Sequence, residues 1–264
     1  MATEIHFVDV GQGNMVLIKA DDGSRFVFDC NITQDNESRV LGYVAKVFGR
    51  GNRIRAFICS HRDADHMRGV TKLHNKNPIS EIWDSGYAGT TTGSPEYTQY
   101  MNLRRKVGVR EIEKFTYENF GSTRFRYFSA SDNRLPKNAN AQGIVIKVEQ
   151  RNPTLDECLT SALLPGDSDA EVWRDGILKD YSEENLKSSI LMAAHHGSNS
   201  FFEIPSNQYR YTEHLRAIKP QMVVVSVGPN THGHPKFEAL GLYKTYATGS
   251  IEGKKSHEQT KMEP

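Results

Sequence analysis

The sequence predicts an α/β protein in which two mixed sheets pack face to face with helices on their outer sides. Short apolar strands come first with no helix between them, strands then alternate with helices, and the progression repeats in the second half. The early strands Ile5–Val10 and Met15–Lys19 are joined by a short connection carrying Gly11-Gln12-Gly13. That is a hairpin connection, and it argues against one doubly wound parallel sheet. With 264 residues, the chain can build one large domain.

Each element has its own signal. Phe26–Asp29 is a third short strand, and Arg39–Phe48 has helical apolar spacing that stops at Gly49. Ile54–Ser60 reads as a buried strand, Asp65–Asn75 as one helix and Ile79–Trp83 as another strand. Residues 85–100 are rich in Gly, Thr, Ser and Tyr, which predicts a surface loop, followed by a basic helix over Tyr100–Val107. Arg124–Phe128, Gly143–Glu149 and Cys158–Leu164 are strands, and Ala170–Leu178 a helix. Ser189–Ala194 is a strand, Tyr211–Ile218 a helix, Met222–Val227 a strand and Lys236–Tyr246 a helix. One domain over 1–264 is expected, with an insertion around 85–140 and a peripheral polar tail from about 250.

The bulk numbers exclude several classes. A net charge of +1 gives no global attraction to nucleic acid or membrane. No apolar run approaches the ~20 residues of a membrane span, so no membrane partner is expected. The N-terminus enters a strand without a leader-like pattern. Cys30, Cys59 and Cys158 are far apart, each in or beside an apolar run. They read as buried, reduced thiols of a cytoplasmic protein, with neither a disulfide framework nor a thiolate metal site.

The hexapeptide His61-Arg-Asp-Ala-Asp-His66 carries the chemistry. It places His61, Asp63, Asp65 and His66 directly after an apolar strand. Burying so many ionisable groups is costly unless cations compensate. Three further strands lead to similar tips: Pro165-Gly-Asp167, His195-His196-Gly-Ser198, and Gly228 through His232 and His234 to Pro235. Four such tips at one sheet edge make a cleft lined with His and Asp. Alternation puts His61 and Asp63 on one side, and Asp65 falls near a helix start that favours its charge. His66 can share a second ion, Asp167 can bridge both, and His195 closes the second position. Three carboxylates and a hydroxide balance two divalent ions; imidazole suits zinc, while carboxylate suits manganese or magnesium.

Seven segments together resemble the metallo-β-lactamase superfamily, in particular its ComEC/Rec2-like branch. They are His6–Gly13 (HFVDVGQG), Phe26–Asp29 (FVFD), Ser60–His66 (SHRDADH), Asn140–Val145 (NAQGIV), Leu163–Asp167 (LLPGD), Ala194–Ser198 (AHHGS), and Ser226–Gly228 (SVG) with His234-Pro235. The resemblance runs from residue 6 to about 249 and implies an αββα sandwich with a metal site at one edge of both sheets. It also resembles a stand-alone form, without the membrane channel of full ComEC. The same HxDxDH variant resembles phosphorylcholine esterases. Asp63 stands where the wider superfamily has a second histidine, Asn140 near its third-motif histidine, and Asn14 where the branch usually has Asp. These departures make the site oxygen-rich, so zinc and manganese are both expected metals.

The reading that follows is a hydrolase using a hydroxide activated by two divalent ions, Zn or Mn, on a phosphodiester substrate that includes nucleic acid. Asp65 and His234 are its catalytic candidates, with His234 protonating the leaving group. His61, Asp63, Asp65, His66, Asp167 and His195 are the expected ligands, and His195 is favoured over His196. Asp29, Asn140, His196 and His232 are candidates for orienting ligands or touching substrate. A small-ester hydrolase, of the phosphorylcholine esterase or cyclic-nucleotide phosphodiesterase type, is the alternative, and a non-catalytic binding module the third. The basic stretch Arg104, Arg105, Lys106 and Arg110, beside Tyr87, Tyr97 and Tyr100, suits a phosphate-rich, stackable substrate. Protein partners leave no signal.

Overall fold

A computed structural model of the protein describes residues 2–89, 91–204 and 208–252, the side chains of 250–252 excepted. Its first sheet has the order β1 (Glu4–Phe7), β2 (Val16–Lys19), β3 (Arg25–Phe28), β5 (Ile54–Ile58), β6 (Ile79–Asp84) and β7 (Gly108–Glu111). The hairpin pairs are antiparallel, and the strands from β3 onward run parallel. A two-residue bridge, β4 (Cys30–Asn31), pairs with Met67 and Arg68.

The second sheet runs β14 (Ser250–Glu252), β13 (Met222–Val224), β12 (Ile190–Met192), β11 (Cys158–Leu164), β10 (Val145–Arg151), β9 (Thr123–Ser129) and β8 (Tyr117–Phe120). Its β11–β14 half is parallel and its β8–β11 half antiparallel.

Three apolar clusters make four layers. Between the sheets, Phe26, Phe28, Ile58, Trp83, Phe125, Ile146, Leu164 and Met192 interdigitate. Outside the first sheet, α1 (Glu37–Phe48), α3 (Val70–Lys76) and α4 (Pro95–Lys106) bury Val40, Val44, Leu73 and Leu103. Outside the second, α5 (Glu213–Ile218), α6 (Phe237–Tyr246) and a π-helical turn Val172–Ile177 bury Leu215, Tyr243 and Trp173. Burial of a large apolar side chain is worth roughly 1.5–3 kcal/mol. The expected sandwich is therefore the one observed.

The structure corrects several element expectations. The single helix over Asp65–Asn75 is two, α2 (Ala64–Met67) and α3, separated by an extended Arg68 and a left-handed Gly69 at φ 78°. A Cβ at Gly69 would lie 2.5 Å from that of Ile32, so the chain must turn there to seat α2 against β4. Helix α4 starts at Pro95, earlier than expected, because Ser94 Oγ caps it by accepting from Tyr97 N at 3.1 Å. β7, β8 and β14 escape sequence reading because they are short edge strands; β7 and β8 are mostly exposed and carry little apolar alternation.

The stretch expected as an insertion supplies α4 and β7 to the first layer pair and β8 and β9 to the second sheet. The expected tail begins as β14, and residues 253–264 lie outside the described residues. Cys30 and Cys59 are buried, but Cys158 is exposed, at the exposed start of β11. Among the described residues, no helix is long and apolar enough to cross a membrane.

Candidate metal centre

The carboxyl ends of the parallel strands in both sheets point to the same edge, where α/β proteins gather their ligands. β5 runs into Ser60-His61, β11 into Asp167, β12 into His195-His196 and β13 into Ser226. Two overlapping groups of side chains meet there. His61, His66 and Asp167 form one, and Asp65, His66 and His196 the other; within each group the ligand atoms lie within 4.8 Å of one another.

The separations are close throughout. His66 Nε2 is 3.2 Å from Asp167 Oδ1, and His196 Nε2 is 3.2 Å from Asp65 Oδ2. His61 Nε2 lies 3.9 Å from Asp167 Oδ2 and 3.7 Å from Asp63 Oδ2.

The far side of each ring explains why its Nε2 faces inward. His196 Nδ1 donates to the Ser226 carbonyl at 3.0 Å, an oxygen that can only accept. His66 Nδ1 donates to Asp29 Oδ2 at 2.8 Å. Ser60 Oγ donates its proton to Asp29 Oδ2 at 2.8 Å, so it accepts from His61 Nδ1 at 3.0 Å. These Nδ1 donors follow from the hydrogen-bond network, and all three rings then turn Nε2 toward Asp167. Asp29 is itself fixed by Ser60 N at 2.7 Å and stands at φ 54°, a strained conformation for a non-glycine residue. His195 and His196 share that strain, at φ 48° and 54°.

The inward atoms test whether the site fits cations. His61 Nε2, His66 Nε2, His196 Nε2 and Asp167 Oδ1 are all buried without a well-formed hydrogen bond among the described residues. An unmet buried polar atom costs roughly 1–3 kcal/mol. Four such donors of electron pairs around one space suit divalent ions. The electrostatics agree. Burial and the neighbouring His66 lower His61 to about 4. Burial opposes the charge on His66, yet Asp167, Asp29 and Asp65 raise it well above its ordinary value. Against burial, the histidines around it hold Asp167 well below the usual carboxylate range. Burial opposes the charge on His196 too, yet Asp167 and Asp65 raise it, so the carboxylates draw positive charge into this space.

The expected residues fall into three sets. His61, His66, Asp65 and Asp167 converge as expected, and Asp29 braces His66. His196, expected as support, is the buried ring that completes the second group. His195, expected as the ligand, belongs to neither group, although its Nε2 is 3.6 Å from Asp167 Oδ2. The turn Ala194–Gly197 sends the first ring toward Ser200, whose Oγ is 3.0 Å from His195 Nδ1, and the second into the core. Asp63 stands at the rim, partly exposed, accepting from Thr91 Oγ1 at 3.4 Å; burial, with Asp167 and Asp65 nearby, raises it.

His234 packs against His195 with ring centroids 5.4 Å apart, and burial with the other histidines lowers it to about 4. His232 is exposed on its outer side, 6.0 Å away ring to ring. Asn140 places its backbone carbonyl, not its side chain, in the local network, accepting from Gly143 N at 3.4 Å.

Sequence reasoning assigned no role to Ser60 and Ser226, which hold the rings, although each opens a quoted motif. The basic patch is partly engaged within the chain. Arg104 is committed to Asp84 and Glu111, Arg110 pairs with Glu118, and Tyr100 is fully buried.

Known proteins place this arrangement. The chain superposes on YhfI of Bacillus subtilis, a metallo-β-lactamase fold protein, with a TM-score of 0.59 and 12% identity over 99% of this chain and 100% of that one. It is similar to Igni18, a metallo hydrolase of Ignicoccus hospitalis, at a TM-score of 0.54 and 10% identity over 98% and 99% of the two chains. CmlA, a diiron β-hydroxylase from Streptomyces venezuelae, gives 0.55 and 12% over 98% of this chain and 54% of the other. These likenesses show the fold. No curated protein matches the chain. The metallo-beta-lactamase superfamily profile matches residues 8–146, which include β2, β3, Asp29 and the whole HRDADH loop. The chain belongs to the metallo-β-lactamase superfamily.

Proposed function

We propose that the protein is a metal-dependent hydrolase that cleaves phosphodiesters. The observation that carries this reading is the pair of ligand groups that share His66, each with two imidazoles and a carboxylate, with Asp63 adding a further carboxylate at the rim. His61, Asp63 and Asp167 would hold one divalent ion, zinc or manganese; Asp65, His66, His196 and Asp167 would hold a second. Bound there, the ions supply Lewis-acid stabilisation of phosphoryl oxygens and lower the proton affinity of water. The chain's own residues do the rest. Asp29 and Ser60 keep His61 and His66 in the productive tautomer, and the Ser226 carbonyl does so for His196. Asp65 faces the same space; against burial, His66 and then its partner His196 hold its carboxyl below the usual carboxylate range. His234 and His195 line one side, where a leaving oxygen could take a hydrogen bond.

A smaller ester is the second reading, and one contact favours it. Tyr87 OH donates to the Lys137 carbonyl at 2.8 Å, tying the loops after β6 and β9 together. Gly89 in the first of these loops lies against Arg62. With Arg104 and Arg110 already paired, a broad basic groove for nucleic acid has less support than a compact phosphodiester.

The test is hydrolysis of bis(p-nitrophenyl) phosphate, small phosphodiesters, single- and double-stranded DNA, and RNA with zinc or manganese. Asp167→Ala should abolish metal-dependent cleavage while leaving the circular dichroism spectrum intact. Retained activity in that variant contradicts the assignment.

A further inference from the structure

Beneath the HRDADH loop lies a buried ion cluster that no ligand position accounts for. Asp84 ends β6, next to β5 in the first sheet, and is 1% exposed. Its Oδ2 accepts from Tyr100 OH at 2.6 Å, Arg104 Nε at 2.8 Å and Arg62 Nη2 at 3.0 Å. Its Oδ1 accepts from Gly86 N at 3.0 Å and Arg104 Nη2 at 3.3 Å. Arg104 reaches on to Glu111 at 3.0 Å. A buried charge cluster is weak as a source of stability, since apolar side chains of the same volume often do as well or better. What it can provide is a fixed geometry.

Arg62 shows which geometry. It stands between His61 and Asp63, is 4% exposed, and holds its guanidinium 5.9 Å from the Tyr100 ring centre. Its head is drawn down to Asp84, while the side chains on either side of it both face the metal centre. On the other flank, Ser60 is tied to Asp29 and its carbonyl accepts from Ile144 N at 2.8 Å. The ligand loop is thus pinned from two sides, and helix α4 supplies the second through Tyr100 and Arg104.

We infer that Asp84 is a positioning residue for the metal centre: by holding Arg62 it fixes the backbone between His61 and Asp63 and so the spacing of those two ligands. The inference rests on the metal reading above. Asp84 touches neither ligand, so its effect must pass through Arg62.

The test is a cobalt(II) titration of the metal-free full chain, followed by the visible absorption of the bound ion. Wild type, Asp84→Asn, Arg62→Met and the double variant are compared, with circular dichroism to establish folding. Each single substitution should weaken cobalt binding about 10–100-fold, the usual consequence of losing a group that orients a ligand, and should alter the absorption band. The double variant should bind no more weakly than Arg62→Met alone, because the two changes break one path. A folded Asp84→Asn that binds cobalt as wild type does overturns the inference. So does a double variant whose loss is the product of the single losses, which marks a general structural role. If Asp84→Asn does not fold, Arg62→Met decides, since it leaves Asp84 paired with Arg104 and Tyr100; unchanged affinity there overturns the inference equally. Wild type that takes up no cobalt removes the metal reading and this inference together, whereas normal wild-type binding with unaffected variants removes this inference alone.

Discussion

His214 lies under the metal centre's second wall and should make the protein acid-labile in a calculable way. Its ring packs 4.0 Å from Phe201, 5.5 Å from Phe202 and 5.8 Å from Trp173, fully buried in the outer layer that supports the His196 turn. Burial lowers it to about 3, against a small opposing effect of the Phe201 backbone. The native ring stays neutral, while in the unfolded chain it takes up a proton as pH falls through about 6.5. A group with a depressed native value of this kind leaves stability intact above about 6.5 and removes it progressively as pH falls toward 3. Each unit costs about 1.4 kcal/mol, so from pH 8 to pH 5 this one residue removes about 2 kcal/mol. His214→Phe abolishes the proton uptake while keeping an aromatic ring. Urea unfolding of both metal-free proteins at the two pH values isolates the effect, because every other titrating group is shared. The variant should gain about 2 kcal/mol on wild type between pH 8 and pH 5, whatever its absolute stability. Parallel pH dependences, agreeing within about 0.5 kcal/mol, would refute the reasoning.

Three further outcomes are expected. His196→Ala should lose metal affinity about 10–100-fold or more, while His195→Ala should keep its metal; plasma mass spectrometry of dialysed proteins checks this, and the reverse order restores the sequence assignment. Ser60→Ala removes the hydroxyl that holds Asp29 and His61, so metal affinity should fall about 10-fold with the fold intact, measured by competition with a chromogenic chelator. Gly13→Ala would put a Cβ 2.7 Å from the Asp65 carbonyl and 2.8 Å from Asn31, at φ 119°; a loss of about 2 kcal/mol or more in urea unfolding is expected, together with weaker metal binding.

The parts of the molecule legible in the sequence are those where one local pattern decides the outcome. The strand preceding HRDADH ends in the apolar run Ala56–Cys59 and the one before Asp167 in Ala162–Leu164, because both faces of these strand ends are covered. The ligands follow because they sit immediately after those runs. What escaped reading depends on partners distant in sequence. Gly69 breaks a helix that periodicity would continue, for the sake of a contact with Ile32. The order of His195 and His196 is set by a left-handed turn and by the Ser226 carbonyl, thirty residues away. Arg104 looks like a solvated base until Asp84, on another element, is placed beside it. The rim position of Asp63, 3.7 Å from His61 Nε2, is likewise not visible in the motif, although the motif places it beside His61.

The central claim is that four orphaned atoms around Asp167 are one half of a set of metal–ligand bonds. Bound divalent metal per chain, measured by plasma mass spectrometry on protein purified without chelator, tests it most directly. The expected content is about two ions for wild type, falling sharply in Asp167→Ala. A content near zero, unchanged by added zinc or manganese, would contradict it.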